Sequence, residues 1–385
     1  MSIIWNEGST TCELGWLSAA GAPPPRRVTP ADDRMSADEA YRLLSQGGAL
    51  LWQGDYHNAR QLLQALGRRV ERSAGKGKPA TRKSGGSANL TEIFHRERLA
   101  RAQRARLLGQ LLVPCEPGYR IALRRAPEVA AACVEAYGPS PQEPFALSLR
   151  ELLGVSGAHE WREKGVEVAA LGARIHPHYG VFAPIRSEYL DLLMQAPLPA
   201  SPTRLAFDLG TGTGVLAALL ARRGVQEIVA TDNAPRALAC AQDNLQRLGL
   251  DGRVRLEAAD LYPAGQAELV VCNPPWLPGR ASSALDAAIY DPDSRMLRGF
   301  LDGLAAHLTP GGEGWLILSD LAEHLGLRSR EDLPGWIEAA GLRVADHLET
   351  RAMHPRARDA DDPLHAARAA ERTALWRLVP ARGER

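Results

Sequence analysis

Residues 204–214 read Arg204-Leu205-Ala206-Phe207-Asp208-Leu209-Gly210-Thr211-Gly212-Thr213-Gly214. A short apolar run ends on an acid and breaks into alternating glycines. VLAALLARR (215–223) then resumes with helical composition. Gly210 and Gly212 can turn tightly and let the backbone approach a ligand closely. The helix start offers free N–H groups to an anionic or polar ligand. Working outward, β-rich runs alternate with helical stretches: EIVATD (227–232), PRALACAQDNLQRL (235–248), RVRLEAA (253–259) and ELVVCN (268–273). A helix over 294–308, the strand GWLILS (314–319), helical residues 320–340 and strands near 342–347 and 373–379 complete the pattern. This alternation predicts a doubly wound α/β domain with a mostly parallel, seven-stranded sheet over residues 201–385.

Asp232 ends the second predicted strand, where an acid can accept hydrogen bonds from both ribose hydroxyls. The glycine spacing is GxGxG. Position 215, where a dinucleotide fingerprint has its third glycine, is Val, which disfavours NAD. FDLGTGTG resembles motif I of the Rossmann-like S-adenosylmethionine-dependent methyltransferases. The resemblance implies S-adenosyl-L-methionine as cofactor, held by Asp208, Gly210, Thr211, Gly212, Gly214, Asp232, Asn233, Asp260 and Asn273.

Asn273-Pro274-Pro275-Trp276 follows the apolar strand ELVVC. Loops at the carboxyl ends of such strands are where ligands bind. Two prolines stiffen the turn and leave carbonyls as acceptors. The Asn273 side-chain oxygen and the Pro274 carbonyl can take both hydrogens of a planar NH₂ group, and Trp276 offers a flat face for stacking. The tetrad resembles the Asn-Pro-Pro-aromatic motif of amino-methylating enzymes, with Trp where Tyr or Phe is usual. That resemblance implies a catalytic set of Asn273, Pro274, Pro275 and Trp276. It also implies transfer to an amino or amide nitrogen of RNA, DNA or a protein such as a translation factor. Residues 180–186, GVFAPIR, resemble the approach to the cofactor pocket in small-domain methyltransferases, which makes Phe182 and Arg186 candidate substrate contacts. Asp291-Pro292-Asp293-Ser294 reads as a helix cap with Ser294 or Asp293 as N-cap.

Upstream, residues 1–34 contain GAPPPRRVTP and read as a flexible tail. Met35, just before the N-cap candidate Ser36, offers an alternative start. Residues 35–150 show helical spacing and read as a mainly helical substrate-recognition domain. Within it, 73–89 is a basic Gly/Ser/Lys linker and 90–113 is one helix stopped by Pro114. Residues 151–200 read as a connecting segment with short strands at 166–171 and 173–184 and a helix at SEYLDLLMQA (187–196). Residues 68–106 hold twelve Arg and Lys against three Asp and Glu, a local +9 in a chain of net charge +1. Such a stretch can follow a phosphate backbone, so nucleic-acid binding is an expectation for it.

The 385 residues, 45% hydrophobic and 24% charged, are an ordinary globular mix that argues against wholesale disorder. No run of 18 apolar residues occurs, which argues against a membrane partner. The N-terminal stretch has no secretory pattern. The five cysteines form no CxxC pair, so neither a disulfide framework nor a metal site is expected, and a cytoplasmic setting fits. His176, His178, His354 and His365 fall in no ligand pattern and read as loop histidines. Two other classes remain: a catalytically silent nucleotide-binding or interaction protein on the same fold, and, less well matched, an NAD-dependent oxidoreductase.

Overall fold

The computed structural model describes residues 1–76, 89–184, 186–199, 203–281 and 283–381. The chain divides into two compact units. One comprises residues 1–88 and 95–160, the other residues 89–94 and 161–385.

The first unit is built on a sheet of seven strands. Its order is Ser2–Glu7, Thr10–Trp16, Phe145–Ser148, Leu111–Glu116, Ala49–Trp52 and Val28–Ala31, with Arg120–Ile121 beside Leu111–Glu116. This corrects three sequence expectations. Residues 1–34 are not a tail: they supply three strands, and the outermost two pair as a hairpin with Ile3 fully buried. The unit is α/β and not mainly helical. Ala49–Trp52 and Phe145–Ser148 are buried at every position, so they show no alternation, and a four-residue apolar run carries no period that separates strand from helix. The helix from Leu90 ends at Leu108, and Pro114 lies inside the strand Leu111–Glu116. Ser36 does cap the helix Ala37–Ser45, its hydroxyl accepting from the Glu39 N–H at 3.2 Å. Most of the basic linker, residues 77–88, lies outside the described residues.

The second unit carries the fold expected from residues 204–273. Its main elements are β1 (Leu205–Leu209), α1 (Val215–Arg222), β2 (Glu227–Asp232), α2 (Pro235–Arg247), β3 (Val254–Ala258), β4 (Ala267–Cys272), α3 (Arg295–His307), β5 (Leu308–Ser319), β6 (Leu342–Arg351) and β7 (Arg372–Pro380). The sheet order is β3-β2-β1-β4-β5-β7-β6. Strands β1 to β5 pair in parallel, and β7 runs antiparallel to both β5 and β6. Because helices cover both faces, the central strands are apolar throughout: Leu269, Val270, Val271 and Cys272 are all fully buried. Alternation along β1 sends Ala206 into the layer of α1 and the helix Glu188–Gln195, and Phe207 and Leu209 into the layer of α3. Asp208 therefore points to the α1 side.

The parallel register fixes the functional end of the sheet. Leu209 of β1 lies beside Cys272 of β4, so the glycine turn starting at 210 and the tetrad starting at 273 leave adjacent strands side by side. Neighbouring strands are about 4.8 Å apart. The order reverses at β1, where β2 and β4 lie on opposite sides, and that is the usual place for a ligand crevice in an open α/β sheet.

Candidate functional site

Each glycine of the turn answers a different steric demand. All three have positive φ: +72° at Gly210, +57° at Gly212 and +81° at Gly214. A Cβ on Gly214 would sit 3.3 Å from the Cα and Cβ of Ala241, so Gly214 lets α1 start tight against α2. A Cβ on Gly210 would sit 2.6 Å from the Met296 methyl, because the first turn of α3 reaches over the loop. At Gly212 a Cβ would meet nothing within 4 Å, which leaves that peptide open to a ligand.

Two carboxylates organise the loop. The Thr211 hydroxyl (2.7 Å) and the Ala217 N–H (3.1 Å) donate to Oδ2 of Asp208. Its Oδ1 is buried and has no partner among the described residues. Burial pushes the Asp208 carboxyl up to about 6, against those two hydrogen bonds, and the charge of Asp232 adds to the rise. An orphaned buried acceptor beside an open peptide is what a cationic or hydrogen-bonding ligand would satisfy. Asp232 is partly exposed at the end of β2. Its Oδ2 accepts from the Gly212 N–H at 3.0 Å and its Oδ1 from the Ala234 N–H at 2.9 Å. Beyond it, Asn233 donates to Asp260 at 3.4 Å, and Arg295 pairs with Asp260 at 2.5 Å. Asp260 is largely exposed and forms the outer rim. Donors, acceptors and open space here fit a nucleoside with a cationic amino-acid arm.

The tetrad departs from β4 with Pro274 buried and Asn273, Pro275 and Trp276 half-buried. The Trp276 indole N–H donates to Oδ1 of Asn273 at 2.8 Å. The Arg186 guanidinium lies over the indole, 4.7 Å from its centroid, and Tyr189 stands perpendicular to it at 6.4 Å. Trp276 is thus less free a stacking platform than its sequence suggests. One face carries Arg186 and the polar edge is turned onto Asn273. Arg186, a candidate substrate contact by sequence, is engaged inside the protein. Its Nε donates to Glu188 at 2.7 Å, Nη1 to Glu371 at 2.9 Å and Nη2 to Thr373 at 3.4 Å. Phe182 remains partly exposed.

Several participants had no sequence signal beyond their place near a motif. Burial first, then the carboxylates of Asp208 and Glu188, push the Tyr189 phenol above its ordinary range. Its ring meets the Trp276 indole edge-on. Glu371 is fully buried just before β7. It accepts from the Ser319 hydroxyl at 2.6 Å and lies 3.2 Å from Nε2 of His354. Burial pushes its carboxyl up, yet Arg186, Ser319 and His354 together hold it below the ordinary value. Ser294 holds the N-cap position of α3 as expected, but its side chain makes no capping hydrogen bond. Asp293 and Ser294 take positive φ, and the Asp291 carboxylate accepts from the Met296 and Leu297 N–H groups at 3.0 and 3.1 Å. Among the described residues no group of three His, Cys, Asp or Glu is placed to hold a metal ion, and no helix is long and apolar enough to cross a membrane.

Residues 172–328 match the family described as methyltransferase small domain. A release factor glutamine methyltransferase from Cereibacter sphaeroides is 34% identical over 164 residues, 39% of this chain and 56% of the relative. One from Deinococcus radiodurans is 39% identical over 169 residues, 40% and 57% of the two chains. A ribosomal protein L11 methyltransferase from Sorangium cellulosum is 33% identical over 148 residues, 38% of this chain and 39% of the relative. The chain thus spans about half the length of the curated relatives it matches. Among solved structures, an S-adenosylmethionine-dependent methyltransferase from Thiobacillus denitrificans in complex with S-adenosyl-L-homocysteine matches at 16% identity. It has a TM-score of 0.36 and covers 52% of this chain and 94% of that one.

Proposed function

We propose, from the premise that residues 172–328 are a Rossmann-like S-adenosylmethionine-dependent methyltransferase domain of the N-methylating group, that this chain transfers a methyl group to the side-chain amide of a protein glutamine. The single observation that carries the reading is the register of β1 and β4. It sets the glycine turn beside Asn273-Pro274-Pro275-Trp276 at one end of the sheet. The names of the matched relatives, which act on a release factor or a ribosomal protein, support a macromolecular acceptor.

In this reading the buried Oδ1 of Asp208 and the carboxylate of Asp232 hold the cofactor's amino-acid and ribose ends, while Gly212 gives it room. When bound, S-adenosylmethionine would supply an electrophilic sulfonium methyl with a neutral thioether as leaving group. The chain's own share is positioning. The side-chain oxygen of Asn273 and the Pro274 carbonyl accept the two N–H hydrogens of the acceptor and fix its plane, so that nitrogen and carbon meet at about 3–3.5 Å. As positive charge develops on the nitrogen, the same two oxygens stabilise it without reorganising. An amide has little basicity, so acceptors that strengthen along the reaction matter more than prior proton removal; the methylated nitrogen then releases one N–H proton to solvent, leaving the neutral N-methyl amide.

The test is incubation of the purified chain with methyl-labelled S-adenosylmethionine and fractionated extract from a strain lacking the gene. Label in a protein band, released as methylglutamine on digestion, supports the reading. Label in no fraction contradicts it and favours a silent domain. A second reading, transfer to a base amine, is favoured by the +9 stretch at 68–106. Label would then enter RNA or DNA, with a rate that falls steeply as salt rises.

A further inference from the structure

The side chain of Asn273 is useful only one way round. Its carboxamide is nearly symmetric in shape, and a flip would present Nδ2, a donor, to an acceptor group that itself donates. The structure shows what settles the choice. An indole N–H is a donor and nothing else, so at 2.8 Å from Asn273 it pairs with Oδ1 alone. That oxygen has two lone pairs, one for Trp276 and one for the acceptor. The indole in turn needs holding, because it is half-buried at the edge of a loop. Arg186 lies over its face at 4.7 Å, a contact that gains strength where the cation is shielded from water. Arg186 is itself pinned by Glu188 and by Glu371, a carboxylate with no exposed surface that Ser319 and His354 also bond.

We infer that Glu371, Arg186 and Trp276 form a positioning chain that locks the Asn273 carboxamide with its oxygen toward the methyl acceptor. None of the three touches the reacting atoms. The inference deepens the methyltransferase reading and rests on it for its consequence, but the lock can be observed without turnover. Its sequence correlate is Trp at the aromatic position of the tetrad: Phe has no donor to offer Asn273.

The experiment uses the full chain labelled with ¹⁵N at its eight tryptophans. The Trp276 indole resonance is the one that Trp276→Phe removes. It should exchange with solvent far more slowly than that of Trp161, which is 50% exposed. It should move in Asn273→Ala, where the acceptor is gone, and move or broaden in Glu371→Gln, where the anchor of Arg186 is weakened. With methyl-labelled S-adenosylmethionine and extract, Trp276→Phe should lower the transfer rate at least about tenfold. Cofactor affinity by calorimetry and melting temperature should stay close to those of the native chain, a split that a merely structural role would not give. An indole N–H that exchanges as freely as that of Trp161, one unmoved by Asn273→Ala, or native transfer rates in Trp276→Phe would overturn the inference. If the native chain transferred no label, the functional reading would fail, while the indole resonance would still decide whether the lock exists.

Discussion

Replacing Asp208 by Asn should make the chain more stable and a poorer binder at once. The Thr211 hydroxyl and the Ala217 N–H both donate to one oxygen of Asp208, so the carboxamide oxygen would take that side. Its NH₂ would replace the orphaned Oδ1. Burial raises the folded carboxyl from 3.8 to about 6. A raised acid binds its proton more tightly in the folded state, so folding loses stability as pH climbs from about 4 through about 6. At about 1.36 kcal/mol per pH unit, that gap corresponds to about 3 kcal/mol at neutral pH. Asn sheds the charge but keeps a buried polar group, so a gain of about 1–3 kcal/mol is expected at pH 7, or about 2–4 °C of melting temperature per kcal/mol. Below pH 4 the two chains should melt alike. Cofactor affinity should move the other way. The native chain should lose about tenfold in affinity per pH unit below pH 6, where Asp208 must first give up its proton, whereas Asp208→Asn should bind weakly at every pH. Melting curves and calorimetric titrations with S-adenosylmethionine from pH 4 to 8 read both effects. A variant less stable than the native chain at pH 7, or one that keeps native affinity, would refute the argument. Stability withheld at a binding site and released when the site is disarmed is a common trade.

Asp232→Ala removes the acceptor of the Gly212 and Ala234 N–H groups and should weaken cofactor binding at least about tenfold in a calorimetric titration, with a small effect on melting. Asn273→Ala should lower the transfer rate at least about tenfold while cofactor affinity stays within about twofold, the pattern of a group that acts in the transition state. Gly214→Ala places a methyl 3.3 Å from the α2 backbone at φ +81° and should cost about 1–3 kcal/mol in denaturant unfolding. Gly212→Ala meets no neighbour and should cost less stability but still weaken cofactor binding.

Legibility along the chain followed burial and element length. From 204 to 273 the central parallel strands β1 and β4 are largely apolar and buried and a glycine turn follows β1, so strand, turn and helix could be read off directly. The motif positions then followed from the fold, because β1 and β4 are neighbours. The first unit resisted the same reading. Leu50 and Leu51 sit in a four-residue strand buried at every position, which has no period to detect. The hairpin of Ser2–Glu7 and Thr10–Trp16 lies at a sheet edge where mostly polar residues face water. At the candidate site, the places of Asp208, Asp232 and Asn273 were legible because each lies at or just past the carboxyl end of β1, β2 or β4. Tyr189, Met296 and Glu371 were not, since each arrives from a distant segment through packing. Trp276 and Arg186 were singled out, but sequence could not show that the indole edge is turned onto Asn273 and that the guanidinium bonds Glu188 and Glu371.

The central claim is that a sulfonium donor sits on the glycine turn with its methyl facing Asn273. The most direct measurement is the structure of the chain crystallised with S-adenosylmethionine. The account expects the amino-acid arm against Oδ1 of Asp208, the ribose on Asp232, and the methyl carbon turned toward the Asn273 and Pro274 oxygens with room for one planar nitrogen between them. A donor bound elsewhere, or seated with its methyl facing away from that pair, would contradict it.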